Sequence, residues 1–431
     1  MNIVILLREY YPNYSANAKC ISNLMNYLSK DNNITIISNE FNVMNVPNNN
    51  NSPYEIRSFT TKKQVRRNII EYKINKSKIT KRFYMIILFF HKLYYLFKIF
   101  FKSTTIFDDL IKGYINELNN VNGSIDIIIP VCNPFESLVA AFNFKCTEGN
   151  KIEIVPYLFD RFTHNKATQW TALNRLFKKR NNLRLERKIL SNSKRIIVND
   201  SWVNHIEKYF PQLANKMIHV EHPLLINYYS KNLSEENILK PLESFSILYA
   251  GGLDRKIRNP KYTFKLFIKL LQEHNNISLN LYIKGNYKDY VDRLKHKNKL
   301  INLNNFGLVS SKEIEQQIRE SSYLLLIGNN DLSQLQSKVY EYVSSGKPII
   351  YISKSYKDPI FNILKQYQNY CVIFESRKQF FKNIDIIMTF ITTTKNEKVP
   401  FEIVKKCFIE STPEYVANKI LKELYKGEFS I

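Results

Sequence analysis

The stretch Tyr323–Tyr351, YLLLIGNNDLSQLQSKVYEYVSSGKPIIY, decides how the rest of the chain is read. The apolar run Tyr323 to Ile327 predicts a buried strand. A polar loop follows, then a helix opening near Gln336 with Ser337, Lys338 and Glu341 in its first turns, then Gly346 and a second buried strand. The first N–H groups of a helix lack internal partners and its peptide dipoles sum to a positive end, so such a terminus attracts a phosphate. Lys338 adds a full charge. Glu341, one turn further in, is placed to accept hydrogen bonds from sugar hydroxyls, and the combination suits a sugar nucleotide.

A chain of 431 residues, 44% hydrophobic and 13% aromatic, is long enough for two domains with real cores. The net charge of +25 is unevenly spread: residues 62–102 carry +11 and residues 161–195 carry +10. The basic surface therefore belongs to the N-terminal half. Five scattered cysteines, none in a C-x-x-C pair, argue against structural zinc and a disulfide framework and fit a reducing compartment. The apolar opening Ile3 to Leu7 is too short for a signal peptide and lacks a basic leader. The expected location is cytoplasmic, peripheral on the inner face of the cell membrane.

Residues 1–7 predict a first parallel strand, the helix from Ser15 carries Ile21, Leu24, Met25 and Leu28 on one face, and Asn33 to Ser38 returns as the second strand. This is how a doubly wound sheet begins, and ligands bind such sheets beyond the carboxyl ends of the strands. With no G-x-G-x-x-G run, a dinucleotide cofactor is unsupported. Residues 42–60, rich in Asn, Pro and Ser, predict a loop. The basic segment after it leads into Phe83–Phe101, apolar and aromatic except for His91, Lys92 and Lys98. These interruptions argue against a membrane span. They predict an amphipathic surface helix, basic on one side and apolar on the other, drawn to an anionic membrane surface; a pair of domain helices with a solvated basic face is the alternative.

Strands are expected at Ser124–Val131 and Ile152–Phe159, the latter ending in a loop with Asp160, Arg161 and His164. A long basic helix follows, from about Ala167 to Leu190. His219 and His222 flank Glu221 but fall on opposite faces of a strand-like run, so no metal site is assigned. The second domain opens with Phe245–Ala250, Gly251-Gly252 and a basic loop containing Arg255, Lys256 and Arg258, where glycine permits close backbone approach at the ligand edge.

The run SKVYEYVSSGKPII (337–350) resembles the nucleotide-sugar site of GT-B glycosyltransferases, most nearly the family 4 type that makes bacterial surface polysaccharides. GLVSSKEIEQQI (307–318) is similar to a second passage of that family. The resemblance implies an α/β fold of two doubly wound Rossmann-like domains facing a cleft. These would be an acceptor-binding domain at 1–223, with 62–102 toward the membrane, and a nucleotide-sugar-binding domain at 224–400. C-terminal helices at 401–431 would cross back to the first domain. It implies donor contacts from Gly251, Gly252, Arg258, Ser337, Lys338 and Glu341, with Glu341 at the ribose and Arg258 at the diphosphate. It also implies a catalytic role for Asp160 or His164, and acceptor contacts from Tyr14 and Ser15. Two departures stand out: Ser333 occupies the place of a second glutamate near the donor sugar, and NYSANAK (13–19) replaces a Gly-Gly pair in the first loop.

The implied reaction moves a sugar, with retained configuration, from a nucleotide-diphosphate donor to a lipid-linked glycan acceptor. No cofactor and no obligatory metal are implied, and the chain has no Asp-x-Asp pair. A non-catalytic membrane or glycan-binding protein of the same fold is the rival. No nucleic-acid partner is expected, because the basic residues sit among apolar ones and match no recognised binding motif.

Overall fold

The computed structural model describes residues 1–10, 15–40, 52–76, 81–149, 151–163, 172–228, 244–255, 257–284, 287–330, 332, 335–394 and 397–426. The chain forms two compact units, Met1–Pro223 with Pro413–Ile431, and Leu224–Thr412.

The first unit is built on β1 (Asn2–Arg8), β2 (Asn33–Asn39), β3 (Glu55–Phe59), β4 (Ile127–Cys132), β5 (Glu153–Ile154), β6 (Tyr157–Leu158), β7 (Ile196–Val198) and β8 (Met217–His219). All pair in parallel, in the order β3-β2-β1-β4-β6-β7-β8, with β5 also on β4. Ile3, Ile34 and Ile127 stand side by side, as do Ile5, Ile36 and Ile129. These near-continuous apolar strands need cover on both faces. The helices of this unit are α1 (Ala16–Leu28), α2 (Lys62–Lys76), α3 (Lys81–Phe101), α4 (Asp108–Asn119), α5 (Glu136–Glu148), α6 (Ala172–Ser191) and α7 (Asp200–Tyr209).

The second unit carries β9 (Phe245–Gly252), β10 (Ile277–Lys284), β11 (Leu303–Asn305), β12 (Tyr323–Ile327), β13 (Ile349–Ser353) and β14 (Tyr370–Phe374), in the order β11-β10-β9-β12-β13-β14. Counted within the unit this is 3-2-1-4-5-6, the doubly wound arrangement, and strand order reverses between β9 and β12. Its helices are α8 (Lys261–Glu273), α9 (Lys288–Lys297), α10 (Ser311–Glu320), α11 (Lys338–Ser344), α12 (Ile360–Tyr367), α13 (Phe380–Thr394) and α14 (Phe401–Cys407). Because α14 packs on α11 and α12, the unit continues through Thr412 rather than stopping at 400. The last helix, α15 (Pro413–Tyr425), packs against α1 and completes the first unit.

Several elements differ from the sequence expectation for identifiable reasons. Glu55–Phe59, expected within a loop, is an edge strand; only half-buried, it needs no apolar run to pair with β2. The single strand expected over Ile152–Phe159 is two short ones, interrupted at Val155-Pro156, where proline has no N–H to give a ladder. The segment 62–102 is two helices packed against each other, and the expected division of one helix into a basic and an apolar side is largely a division between helices. Basic residues crowd α2, while α3 exposes Phe83, Phe89, Phe90, Tyr94, Phe97 and Phe101 by more than half each. Its half-buried side chains Tyr84, Ile87, Leu88, His91 and Ile99 fall on the opposite face. Burial and the charges of Lys63, Arg66 and Arg67 hold the His91 pKa below its ordinary value, so this face looks toward α2. Among the described residues, no helix is long and apolar enough to cross a membrane.

Gly346 ends α11 in the left-handed region at φ 71°, and a Cβ there would sit 2.1 Å from the Val399 carbonyl oxygen. That oxygen belongs to backbone paired through Val399 N–H to Gly346 O at 2.8 Å, so neither side yields easily. Gly346→Ala is expected to lower stability by about 2–4 kcal/mol, from strain plus overpacking, read as a lower Tm. An unchanged Tm would refute the clash.

Candidate functional site

At the carboxyl edge of the second sheet, three successive strand-end loops are tied together. β9 ends in Gly251 and Gly252, and the chain turns back through an antiparallel bridge between Asp254 and Arg258, with the Asp254 carboxylate accepting from Ile257 N–H. The Arg258 guanidinium donates Nε–H to Asn329 Oδ1 at 3.0 Å and Nη1–H to the Gly252 carbonyl at 3.2 Å. Asn329 follows β12. Lys354, the first residue after β13, donates to Asn330 Oδ1 at 2.8 Å and to the Asn259 carbonyl at 3.1 Å. Burial lowers its pKa most, with Arg258 acting in the same direction and Glu375 opposing. Two cations thus meet at the point where strand order reverses, the usual ligand crevice of such a sheet. Sequence reading found Arg258 but not Lys354, whose only signal was a basic residue immediately after a buried parallel strand.

The helix that opened the sequence argument is α11, only seven residues long. Ser337 is its N-cap residue, but the side chain makes no capping hydrogen bond and the backbone is already helical at φ −54°, ψ −25°. Lys338 Nζ lies 2.9 Å from Glu341 Oε2, and Tyr228 OH donates to the same oxygen at 3.3 Å. Glu341 is buried at 4% exposure, while the lysine remains partly exposed. A polyol or phosphate arriving here must therefore exchange with an existing ion pair. Upstream, buried Gln336 donates Nε2–H to the Ile327 carbonyl at 2.8 Å and fixes the helix entry to the end of β12. The structure brings Gly252 and Arg258 into direct contact and pairs Lys338 with Glu341.

The first unit has a cavity of about 260 Å³ at its own strand-order reversal, between β1 and β4. Arg8 from the end of β1, Cys132 at the end of β4 with Asn133 to Glu136 after it, and Asp160 and Arg161 after β6 line one side. The opening turns of α2 and the residues just after α3 line the other. Asp160 is half-buried, and desolvation raises its carboxyl pKa. Glu136 is buried, accepts the Phe107 N–H at 2.9 Å, and is likewise raised, chiefly by desolvation. The loop carrying Asp160 is held from behind: Glu186 of α6 accepts Thr163 N–H at 2.9 Å and pairs with His205 Nε2 at 2.8 Å, both side chains being essentially inaccessible.

Ser15 does not line this cavity. It caps α1, its hydroxyl accepting from Ala18 N–H at 3.2 Å and donating to the Arg8 carbonyl at 3.4 Å. Tyr14, His164, Lys256 and Ser333 lie outside the described residues. In the run 218–225, His219 and His222 stand in different surroundings. Asp200 joins His219 and Glu221, with ligand-type atoms of all three within 4.8 Å, while His222 is buried and desolvated to a pKa of about 4. His219 Nε2 and Asp200 Oδ1 are 2.7 Å apart, a pairing that raises the histidine pKa and lowers the aspartate.

No protein-family model matches the sequence, and a comparison with curated proteins finds no match. Solved structures do match along the whole length. HepE from Anabaena, in complex with UDP, is 13% identical with a TM-score of 0.58, covering 98% of this chain and 99% of its own. WaaG, a glycosyltransferase involved in lipopolysaccharide biosynthesis, is 11% identical with a TM-score of 0.59, covering 99% and 100%. A putative UDP-N-acetylglucosamine 2-epimerase from Listeria monocytogenes is 10% identical with a TM-score of 0.56, covering 100% and 97%. At such identities the likeness speaks to architecture alone, and the shared architecture is the GT-B fold of two doubly wound units.

Proposed function

We propose that the protein is a glycosyltransferase. It would move a hexosyl or related sugar from a nucleotide-diphosphate donor held by the second unit to a membrane-associated, lipid-linked glycan acceptor held by the first, in surface polysaccharide synthesis. The observation that carries this is the convergence of Arg258, Lys354 and the Gly251-Gly252 backbone at the β9/β12 reversal, with the Lys338–Glu341 pair in the first turn of α11, the helix that follows β12. The cations would stabilise charge building on the departing diphosphate, help of the kind that often dominates catalysis. The Lys338–Glu341 pair would open to give the lysine to phosphate and the carboxylate to the ribose. Asp160 would take the acceptor proton. Bond making is between the acceptor oxygen and the anomeric carbon, and the diphosphate leaves with the electrons of the bond it loses. Retention of configuration, implied by the sequence likeness, belongs to the same proposal, as do a metal-free donor site and a location on the inner membrane face.

An epimerase shares the fold but handles a soluble sugar nucleotide and has no use for an exposed aromatic helix. The apolar face of α3 and the basic residues of α2 therefore favour an enzyme working at an anionic membrane.

Thermal shift against UDP, GDP, CMP and ADP tests the donor reading. One nucleotide is expected to stabilise the protein, by about 2.7 kcal/mol at a hundredfold excess over Kd, and UDP is the first to try given its presence in HepE. Lys338→Ala and Glu341→Ala are each expected to lose most of that stabilisation. If no nucleotide moves the wild-type Tm while anionic vesicles still bind it, the fold serves a non-catalytic membrane protein instead.

A further inference from the structure

The two ends of the α2/α3 hairpin meet at the cavity of the first unit. Lys63, Gln64 and Arg67 come from the first turns of α2, and Lys102 immediately follows α3. The cavity is thus walled on one side by the hairpin ends, where Lys63, Arg67 and Lys102 outnumber Asp108 and Asp109, and on the other by the sheet edge, where Asp160 and Glu136 stand among Arg8 and Arg161. Its cations are held in exchangeable ways. Lys102 pairs with Asp108 at 2.9 Å and also donates to the Ile106 carbonyl at 3.0 Å, and Arg67 pairs with Glu71 at 2.7 Å; Asp108 is exposed and Glu71 half-buried, so both pairs are solvent-accessible ones that a phosphate can replace at little cost. One lining group is unsatisfied: Thr105 Oγ1 is buried without a hydrogen-bond partner, in a residue only 7% exposed. A buried hydroxyl of this kind calls for a ligand or water partner.

The exposed apolar face of α3 runs along the helix to Phe101, which is 77% exposed and directly precedes Lys102. Order along the surface is therefore hydrocarbon-like, then the cationic hairpin ends, then the polar sheet edge that carries Asp160. A membrane amphiphile bearing a phosphate between its chain and a sugar has its parts in the same sequence. Charge supports the choice of occupant, because residues 62–102 carry +11 and would repel a second copy of themselves.

We propose that this cavity binds the phosphate-bearing head of an amphiphile whose hydrocarbon chain lies along the exposed face of α3, with Lys63, Arg67 and Lys102 at the phosphate. The hairpin would then read the acceptor as well as adhere to the membrane. This rests on the glycosyltransferase reading and adds to it the place and the residues that would hold the acceptor's phosphate.

The test uses the full chain and four probes in the same neutral detergent: farnesyl phosphate, farnesol, inorganic phosphate and UDP. Farnesyl phosphate is expected to bind at least tenfold more tightly than either farnesol or inorganic phosphate. Lys63→Gln/Lys102→Gln should weaken it about tenfold or more, and Phe97→Ser/Phe101→Ser should weaken it while leaving inorganic phosphate unaffected. UDP protection should persist in both variants, which also shows that they are folded. Equal binding of inorganic phosphate and farnesyl phosphate would reduce the cavity to an anion site and overturn the proposal. So would equal binding of farnesol, or a Phe97→Ser/Phe101→Ser protein that turns from dimer to monomer with its farnesyl phosphate affinity intact. UDP protection without farnesyl phosphate binding sinks this inference alone, whereas loss of both sinks the transferase reading beneath it.

Discussion

Asp160→Asn is expected to lower kcat for sugar transfer by about 10²–10⁴-fold while making the protein more stable at neutral pH. The two effects share a cause. Desolvation raises the carboxyl pKa of Asp160 in the folded protein, so the fold favours its protonated form. A folded pKa above the unfolded value means that this group favours folding below the unfolded pKa, near 3.9 for a free aspartate. That contribution is lost as pH rises through the higher folded value. At neutral pH the ionised carboxylate is held at a cost which asparagine, of nearly the same shape, does not bear. Wild-type activity should correspondingly fall as pH drops through the raised pKa, because the base must be ionised to accept a proton. A Tm series from pH 4 to 8, run beside kcat measurements, checks both halves: the stability gain should shrink toward the acid end. If Asp160→Asn turns over within threefold of wild type, Asp160 is not the base.

Arg258→Ala is expected to reduce kcat by about 10²–10³-fold, the scale of losing one donor to developing charge. Arginine carries five N–H donors, and the hydrogen bonds to Asn329 and Gly252 orient the fork while leaving others for a diphosphate. Arg258→Lys should recover only part of the rate, since a point charge cannot hold both loop anchors and a phosphate. Activity measured as nucleotide release, with Tm as a control for folding, decides it. A normal kcat with weakened donor binding would place Arg258 in ground-state binding only.

Much of the architecture was legible because parallel strands buried on both faces must be apolar throughout. Runs such as YLLLI (323–327) and ILYA (247–250) admit few other readings, and their alternation with amphipathic helices leaves little choice of fold class. What escaped detection is what burial does not mark by composition. The edge strand Glu55–Phe59 hides behind its polar neighbours. The helix α6 was legible as long and basic, but not that Asn174, Lys178, Asn182 and Glu186, four residues apart, form a buried polar stripe on it. Lys178 reaches the Ile99 carbonyl and Glu186 braces the Asp160 loop, roles visible only once the third dimension supplies partners. At the carboxyl edge of the second sheet, Arg258 was accessible through its glycine neighbours, whereas Lys354 had no motif and needed the sheet order to bring β13 beside β12.

The route of the chain through its two units carries a further consequence for biosynthesis. The second unit occupies one uninterrupted stretch, Leu224–Thr412, and can close as soon as that stretch has left the ribosome. The first unit begins earlier but cannot be finished until α15 emerges, because α1 packs against that helix, which buries Val416, Ala417, Ile420 and Leu424. Until then α1 lacks the cover that α15 gives it. The half of the protein made first is therefore the half completed last, and a nascent chain stalled near Thr412 would present an unsealed apolar groove for holdase chaperones to guard.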